Sequence, residues 1–487
     1  MTDPHETSTP LAYQSVGETV AQFAEGSLRS LALLDVLLER IEAIDAPSSS
    51  IALNAVAAID PRARAVAAER DEQRARGVVL GPLHGVPIVI KDNIEAIGLP
   101  GAAGSSALVG RPTRDAPLVE RLRAAGAVIV ASTNLSQWAN IRSARSTSGW
   151  SATAGLVSNP WALDRSAGGS SSGSGAALAA GLAPLAVGTE TDGSIVCPAS
   201  VNGVVGLKPT VGVVPATYVV PISSSQDSPG PMGRNVADVA RLYAALSATT
   251  PVEEPPARVV VAANWRTGDP ATDARFDDIV AALGASGVSV VLRDVPEPGP
   301  EQNDDELVVL LAELVDDLSA YLADRPGDGV RSLAEVIAYE DLHRGREQPY
   351  FGHDLFVQAI ATGGRAGSAY ANARARNLAW ARDVCLGPAL ADAEVLLAPA
   401  YGPSWKSDLV VGGHPGPASV GTTPPAIAGW PIASVPIGFV HGLPIGAALI
   451  GRPRSEWRIL EVAARLEAQV ALGFDRYRPS FPPPTRG

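Results

Sequence analysis

Of the 38 basic residues in the chain only three are lysines: Lys91, Lys208 and Lys406. Arginine stays protonated in proteins and serves ordinary cationic surface roles, whereas a buried lysine can lose its proton and act as a base. Each lysine is therefore a candidate base, with chance or packing of its long stem as the competing reading. Two serine-bearing stretches could supply a nucleophile. Residues 166–175 read SAGGSSSGSG, and residues 188–194 read GTETDGS, ending at Ser194. A serine hydroxyl is a poor nucleophile until a base takes its proton, so a serine and a neutral lysine make a chemically sensible pair.

Several alternatives fail on spacing. Gly169–Gly173 fits GxSxG with Ser171 at its centre, but that elbow needs a strand directly before it, and 159–165 (NPWALDR) makes a poor one. In a Gly/Ser-rich run the match also costs little. No lysine follows a glycine and precedes Ser or Thr, so there is no phosphate-binding loop. No lysine has a serine three residues before it, which removes the SxxK arrangement. The six histidines are scattered with no HExxH, so no metal site is read, and no organic cofactor motif is found.

The elements around these residues predict alternating strands and helices. Apolar spacing near 3.6 predicts helices over 16–45, and a polar, Arg-rich helix is expected at 61–77. A short β run, Val86–Ile90, delivers Lys91 at its end. Helix 117–125 and strand 127–131 follow. The Gly/Ser decamer alone has linker composition. Here it runs straight into a small-residue helix (176–183), a strand (185–187) and the loop to Ser194, so it is read as part of a βα unit. Residues 258–294 predict two strands around a helix, 304–345 acidic helices, and 394–470 strands at 395–397, 432–436 and 445–450 with a closing helix. The alternation predicts an α/β fold, a single large mixed β-sheet surrounded by helices. Residues 1–70 are expected as a helical segment packed on a catalytic domain spanning 71–487.

Composition narrows the function. The chain has 487 residues, 46% hydrophobic and 18% charged, which is globular. A net charge of −13 with no Lys/Arg block argues against nucleic acid as a partner. No apolar run reaches the ~18 residues of a membrane span; the longest, 176–187, is broken by Gly181 and Pro184. The start, MTDPHETSTP, lacks a basic-then-apolar leader. Cys197 and Cys385 share no paired spacing and read as reduced thiols of a cytoplasmic protein.

Residues 168–210, GGSSSGSGAALAAGLAPLAVGTETDGSIVCPASVNGVVGLKPT, resemble the core motif of the amidase signature family. GPLHGVPIVIKDNI (81–94), STNLSQWA (132–139), PGPMGRNVADVA (229–240) and the closing GWPIASVPIG…GLPIGAALIG (429–451) resemble its other landmarks. The resemblance implies an amide hydrolase with a Ser–Ser–Lys set: Lys91 as base, Ser170 as bridging serine and Ser194 as nucleophile, with a cis peptide bond before Ser170. Ser171 and Ser172 are then neighbours. Lys91 is thus nominated twice, by lysine scarcity and by the motif. Lys208 is read as structural, and Lys406 as a possible pocket residue.

The loop Thr191-Asp192-Gly193-Ser194 is expected to present successive backbone N–H groups to an oxyanion. The implied cycle is attack on an amide carbonyl, loss of ammonia or amine, and hydrolysis of the acyl-enzyme, with no metal or organic cofactor. The sequence departs from the common pattern at Asp192, where glycine is usual, at Val196 and Cys197, where an arginine and an apolar residue are usual, and at Ala131-Ser132, which replaces a usual Gly-Lys. GTETDGSIVCPAS (188–200), ASTNLSQWAN (131–140) and GPSWKSD (402–408) resemble the peptide amidase branch, which removes the C-terminal amide of peptides. A small-molecule or short-peptide amide is the expected substrate. The alternatives are the glutamine-hydrolysing subunit of a tRNA-dependent amidotransferase and a general aliphatic or aryl amide amidase.

Overall fold

The computed structural model describes residues 9–251, 258–414, 418, 420–470 and 478–481. Residues 1–8, where no leader is read, lie outside these. In chain order the main-sheet strands are β1 (Val56–Ile59), β2 (Pro87–Lys91), β3 (Val128–Thr133), β4 (Leu185–Glu190), β5 (Val205–Lys208), β6 (Ser228–Gly233), β7 (Arg258–Ala262), β8 (Ser289–Arg293), β9 (Val395–Pro399), β10 (Ile432–Val440) and β11 (Leu443–Gly451). They form one eleven-stranded sheet in the order β1-β3-β2-β4-β6-β5-β10-β11-β9-β7-β8. The sheet is mixed: β2 runs parallel to β3 and β4, β7 is parallel to β8 and β9, and β6 is antiparallel to both β4 and β5.

Burial on both faces explains why the central strands read as continuous apolar runs. In β7, Val259 and Val261 enter one core cluster while Val260 and Ala262 enter another on the opposite face. That is the period-2 alternation of a pleated strand with helices on each side. The first cluster is closed by α7 (Val236–Ser247), α8 (Pro270–Ala285) and a C-terminal helix (Glu456–Gln469).

The expected helices form with small boundary shifts. Residues 16–45 divide into α1 (Val16–Glu25) and α2 (Ser30–Ile44), the Arg-rich helix is α3 (Ala63–Ala75), and the helix before β3 is α4 (Pro117–Ala124). A capping box between Ser15 and Glu18 starts α1, and Gly26 at φ 75° ends it. Phe23 of α1 and Leu33 and Leu37 of α2 pack with Ile88 and Ile90 of β2. The stretch expected as a helical segment over 1–70 also supplies β1, paired antiparallel with β3, and residue 70 falls within α3. Strand formation there follows from Val56–Ile59 docking against an open sheet edge.

The Gly/Ser run is not a linker. α5 (Ser172–Ala179) begins inside it, earlier than the expected 176, and every residue of the helix is buried. Small side chains let this helix lie close on the sheet, where Leu178 and Ala179 pack against Val89, Val130 and Ala186. Ala162–Ser166, unpromising as a strand, pairs with Ser158–Asn159 in a two-stranded hairpin outside the main sheet. The acidic stretch begins as α9 (Pro300–Asp324). Among the described residues no helix is long and apolar enough to cross a membrane.

Candidate active site

β2 ends at Lys91, which is completely buried. Its Nζ lies within hydrogen-bond distance of three oxygens, 2.7 Å from Ser170 Oγ, 2.8 Å from Thr189 Oγ1 and 3.1 Å from the Thr189 carbonyl oxygen. Asn93 Nδ2 donates to the same Thr189 hydroxyl at 3.0 Å. No carboxylate contacts Nζ among the described residues. Burial pushes the Lys91 amine down to about 7, and the more distant charges of Asp227 and Glu190 pull it partly back.

Ser170 follows a cis peptide bond from Gly169. Glycine leaves room there, because a Cβ on residue 169 would stand 2.4 Å from Ser136 Oγ and displace that hydroxyl. Ser136 N–H donates to the Ser170 carbonyl at 3.1 Å. Ser171 N–H donates to the Ser194 carbonyl at 3.1 Å, which ties the serine run to the second serine loop. Ser171 itself points elsewhere. Its buried hydroxyl donates to Thr189 O at 3.0 Å and accepts from Thr189 N–H at 3.2 Å. The GxSxG serine is therefore a strut for β4.

The loop after β4 turns at Gly193, φ 73°, a left-handed conformation that suits glycine. Glu190 Oε2 accepts from the N–H groups of Ile195 at 2.6 Å and Val196 at 2.8 Å. Among the described residues the N–H groups of Asp192, Gly193 and Ser194 have no protein acceptor. α6 (Val196–Asn202) follows. Thr191 Oγ1 donates to Asp227 at 2.5 Å, and Asp227 also accepts from the N–H groups of Ile222 and Ser223. Burial lifts the Asp227 carboxyl to about 6 against those three hydrogen bonds.

A cleft of about 260 Å³ opens over this floor. Ser170, Thr191, Asp192, Gly193 and Ser194 line it, with Ile141, Ile222, Leu310, Tyr401 and Trp405 as its larger apolar and aromatic walls. Lys91 is beneath the floor, reached through Ser170. Asp192 accepts from Thr423 Oγ1 at 2.9 Å; burial raises its carboxyl, and burial together with the Asp192 charge raises that of Glu306 on α9.

All six residues nominated from the sequence, Lys91, Ser170, Thr191, Asp192, Gly193 and Ser194, thus meet at one place. Cys197 is a wall residue whose thiol burial pushes up to about 12, and Cys385 is buried away from the cleft. Lys406 is not among the lining residues. Its side chain is 71% exposed and lies 3.8 Å from Asp164, while its neighbour Trp405 faces the cleft. Sequence reading missed Thr189, Glu190, Asp227, Leu310 and Tyr401. The first two stand inside the GTETDGS motif and could have been found as polar groups flanking Ser194; the others come from distant segments with no local signal.

Fold and cleft define an α/β enzyme with a serine-lined, amine-backed site, and known proteins give the class as amide hydrolases. Residues 32–460 match the family model described as Amidase. The chain belongs to the amidase, or amidase signature, family. It is 34% identical to a glutamyl-tRNA(Gln) amidotransferase subunit of Symbiobacterium thermophilum, covering 91% of this chain and 93% of that one. It is 33% identical to a probable amidase of Arabidopsis thaliana, over 92% and 88%. Among solved structures, native peptide amidase from Stenotrophomonas maltophilia superposes with a TM-score of 0.89 at 37% identity, over 97% of this chain and 100% of that one. A complex of peptide amidase with the competitive inhibitor chymostatin gives 0.89 at 38%, with 97% and 100% covered.

Proposed function

We propose that this amidase hydrolyses C-terminal peptide amides or similar small neutral amides through a Ser194 acyl-enzyme, with Ser170 as relay and Lys91 as base. The observation that carries the mechanism is the environment of Lys91 Nζ. A neutral amine has two protons and one lone pair. The Thr189 carbonyl can only accept, and Thr189 Oγ1 is placed to accept as well. With both protons so engaged, the lone pair faces Ser170 Oγ at 2.7 Å. Ser170 then gives its proton to Lys91 as it takes one from Ser194, whose oxygen attacks the amide carbonyl carbon. The free N–H groups of the 192–194 turn receive the negative charge on the carbonyl oxygen. Collapse of the tetrahedral intermediate breaks the C–N bond, the proton returns to the leaving nitrogen, and ammonia departs. Water repeats the sequence on the ester and releases the acid.

The substrate reading is supported by the cleft walls. Among the lining residues Asp192 is the one charged side chain, so a free α-carboxylate meets no cation there. An uncharged carboxamide on a peptide can be held by apolar walls and a few backbone hydrogen bonds. The likeness to peptide amidase structures points the same way. The reading has the enzyme working in the cytoplasm without a protein partner; the two buried, unpaired cysteines support a reducing compartment.

Likeness to the amidotransferase protein over 91% of the chain favours a second reading, glutamine hydrolysis. Ammonia release from a dipeptide amide and from free glutamine, at equal concentration and with the purified chain alone, separates the two. The peptide amide should be favoured by about thirtyfold or more in kcat/KM, the effect of leaving a charge unpaired, on the order of 2 kcal/mol. Faster turnover of glutamine, or activity only with an added partner protein, rejects the peptide-amide reading.

A further inference from the structure

Three consecutive residues that are not glycine, Trp138, Ala139 and Asn140, hold left-handed backbone, with φ of 52°, 53° and 78°. In that conformation the Cβ of an L-residue crowds the following carbonyl oxygen, and single asparagines tolerate it better than tryptophan or alanine. A run of this kind persists only where its surroundings fix it. This one forms a wall of the cleft: Ala139, Asn140 and Ile141 line it, next to Ser170 and Ser194. Trp138 is not a lining residue, and its side chain is buried.

The surroundings come from a distant part of the chain, α10 (Leu333–Leu342) and the residues after it. Glu340 of α10 is fully buried, and its Oε1 accepts from the indole Nε1 of Trp138 at 2.9 Å. The same oxygen lies 3.8 Å from Arg142 Nη1, and Oε2 stands 2.9 Å from His353 Nδ1. One carboxylate thus grips the chain on both sides of the 139–141 wall. Neighbouring groups reinforce it. Gln137 Nε2 donates to Glu347 Oε2 at 2.6 Å, and Arg142 donates to the Glu347 carbonyl. The Trp138 ring meets Phe356 edge-on, with centroids 6.0 Å apart, and Trp138 N–H donates to the Ala103 carbonyl at 2.9 Å. Among the described residues Glu340 has no hydrogen bond or ion pair to Lys91, Ser170 or Ser194.

We propose that Glu340 is a positioning residue for substrate binding, acting through Trp138 to hold the 139–141 wall in its left-handed form. A hydrogen bond to a buried carboxylate is strong, and it opposes relaxation of the strained run toward ordinary backbone. The wall stands beside the catalytic serines, so it holds the part of a peptide amide that extends beyond the scissile group. Proton transfer at Ser194 does not depend on it. The inference rests on the peptide-amide reading of the cleft.

The test combines steady-state kinetics on a dipeptide amide with the rate of fluorophosphonate labelling, a small probe that does not need the wall. Trp138→Phe keeps the ring against Phe356 and removes only the indole N–H. It should raise KM at least fivefold, with kcat and the labelling rate within twofold of wild type. Glu340→Met should do the same, whereas Glu340→Gln, which keeps an acceptor for the indole, should stay within threefold of the wild-type KM. The Trp138→Phe, Glu340→Met double variant should lie within twofold of Glu340→Met, because both changes remove one hydrogen bond. If KM is unchanged while kcat and labelling fall together, Glu340 serves folding alone and the proposal is overturned. KM losses that multiply in the double variant overturn it as well. Should Glu340→Met not fold, Trp138→Phe decides the matter by itself. Wild type that releases no ammonia from the dipeptide amide rejects instead the reading of the cleft, and the proposal with it.

Discussion

Lys91 Nζ and Ser170 Oγ stand 2.7 Å apart at the buried floor of the cleft, and the same nitrogen is held from behind by the carbonyl and hydroxyl of Thr189. The geometry matters because it sorts the three neighbours of one amine by what they can exchange. A carbonyl cannot give a proton, and of the two hydroxyls only that of Ser170 belongs to a residue lining the cleft. An ion-paired lysine could not serve, and here the nearest charges act only at a distance.

Ser194→Ala should reduce turnover to background while the melting temperature stays within a few degrees of wild type. Ser171→Ala should behave in the opposite way. Its hydroxyl makes two buried bonds to Thr189, so its loss should cost about 1–3 kcal/mol of stability, with chemistry retained in the folded fraction. Thermal unfolding and ammonia release on the two variants check both; a dead but stable Ser171→Ala would return the nucleophile to the GxSxG match.

Below about pH 7 the Lys91 amine becomes protonated, so kcat/KM should fall about tenfold per pH unit on the acid side. Lys91→Arg should be nearly as inactive as Lys91→Met, because arginine cannot accept the proton. A pH–rate profile with wild-type turnover in the arginine variant would reduce Lys91 to an electrostatic anchor.

The same group links stability to pH. The folded-state value, about 7, lies below the ordinary lysine value, so between the two the unfolded chain holds more protons than the folded one. Stability from this residue therefore rises with pH from about 7 to about 10, and the full burial cost is borne below 7. Lys91→Met removes that cost. At pH 6 it should be more stable than wild type, by roughly 2–4 kcal/mol in denaturant unfolding, although inactive. Equal or lower stability at pH 6 would show that the amine is better solvated than its burial implies.

A fluorophosphonate should label Ser194 and neither cysteine. The Cys197 thiol lies three residues beyond Ser194 but is held protonated, at about 12, by burial. Peptide mapping of the adduct decides this.

Lys406→Ala should leave KM within about twofold and stability within roughly 0.5 kcal/mol, as for an exposed pair 3.8 Å apart. Trp405→Ala should instead raise KM, since the indole forms a cleft wall. Steady-state kinetics on the two variants tests this contrast.

Much of this site was legible in the linear chain. Lys91 stood out because arginine does nearly all other cationic work, and the run from Gly168 to Thr210 carries both serines, their glycines and the turn to Ser194 in one stretch. Period-2 and period-3.6 patterns placed the strands and helices because burial repeats with the geometry of each element. Where local reading faltered, at the Ala162–Ser166 hairpin and at β1, a weak segment was decided by pairing with another piece of chain. Local propensity carries no information about such a partner.

Residue types and short spacings by themselves determined which groups could do chemistry: a scarce amine, two serines and a glycine-turned loop. The tertiary structure alone decided their state. The fall of Lys91 toward neutrality comes from exclusion of water by residues tens to hundreds of positions away. The walls of the cleft were likewise set in three dimensions, where Ile141, Ile222, Leu310, Tyr401 and Trp405 converge from separate segments. Solvation and Coulomb energy depend on distance in space, and a sequence records only distance along the chain.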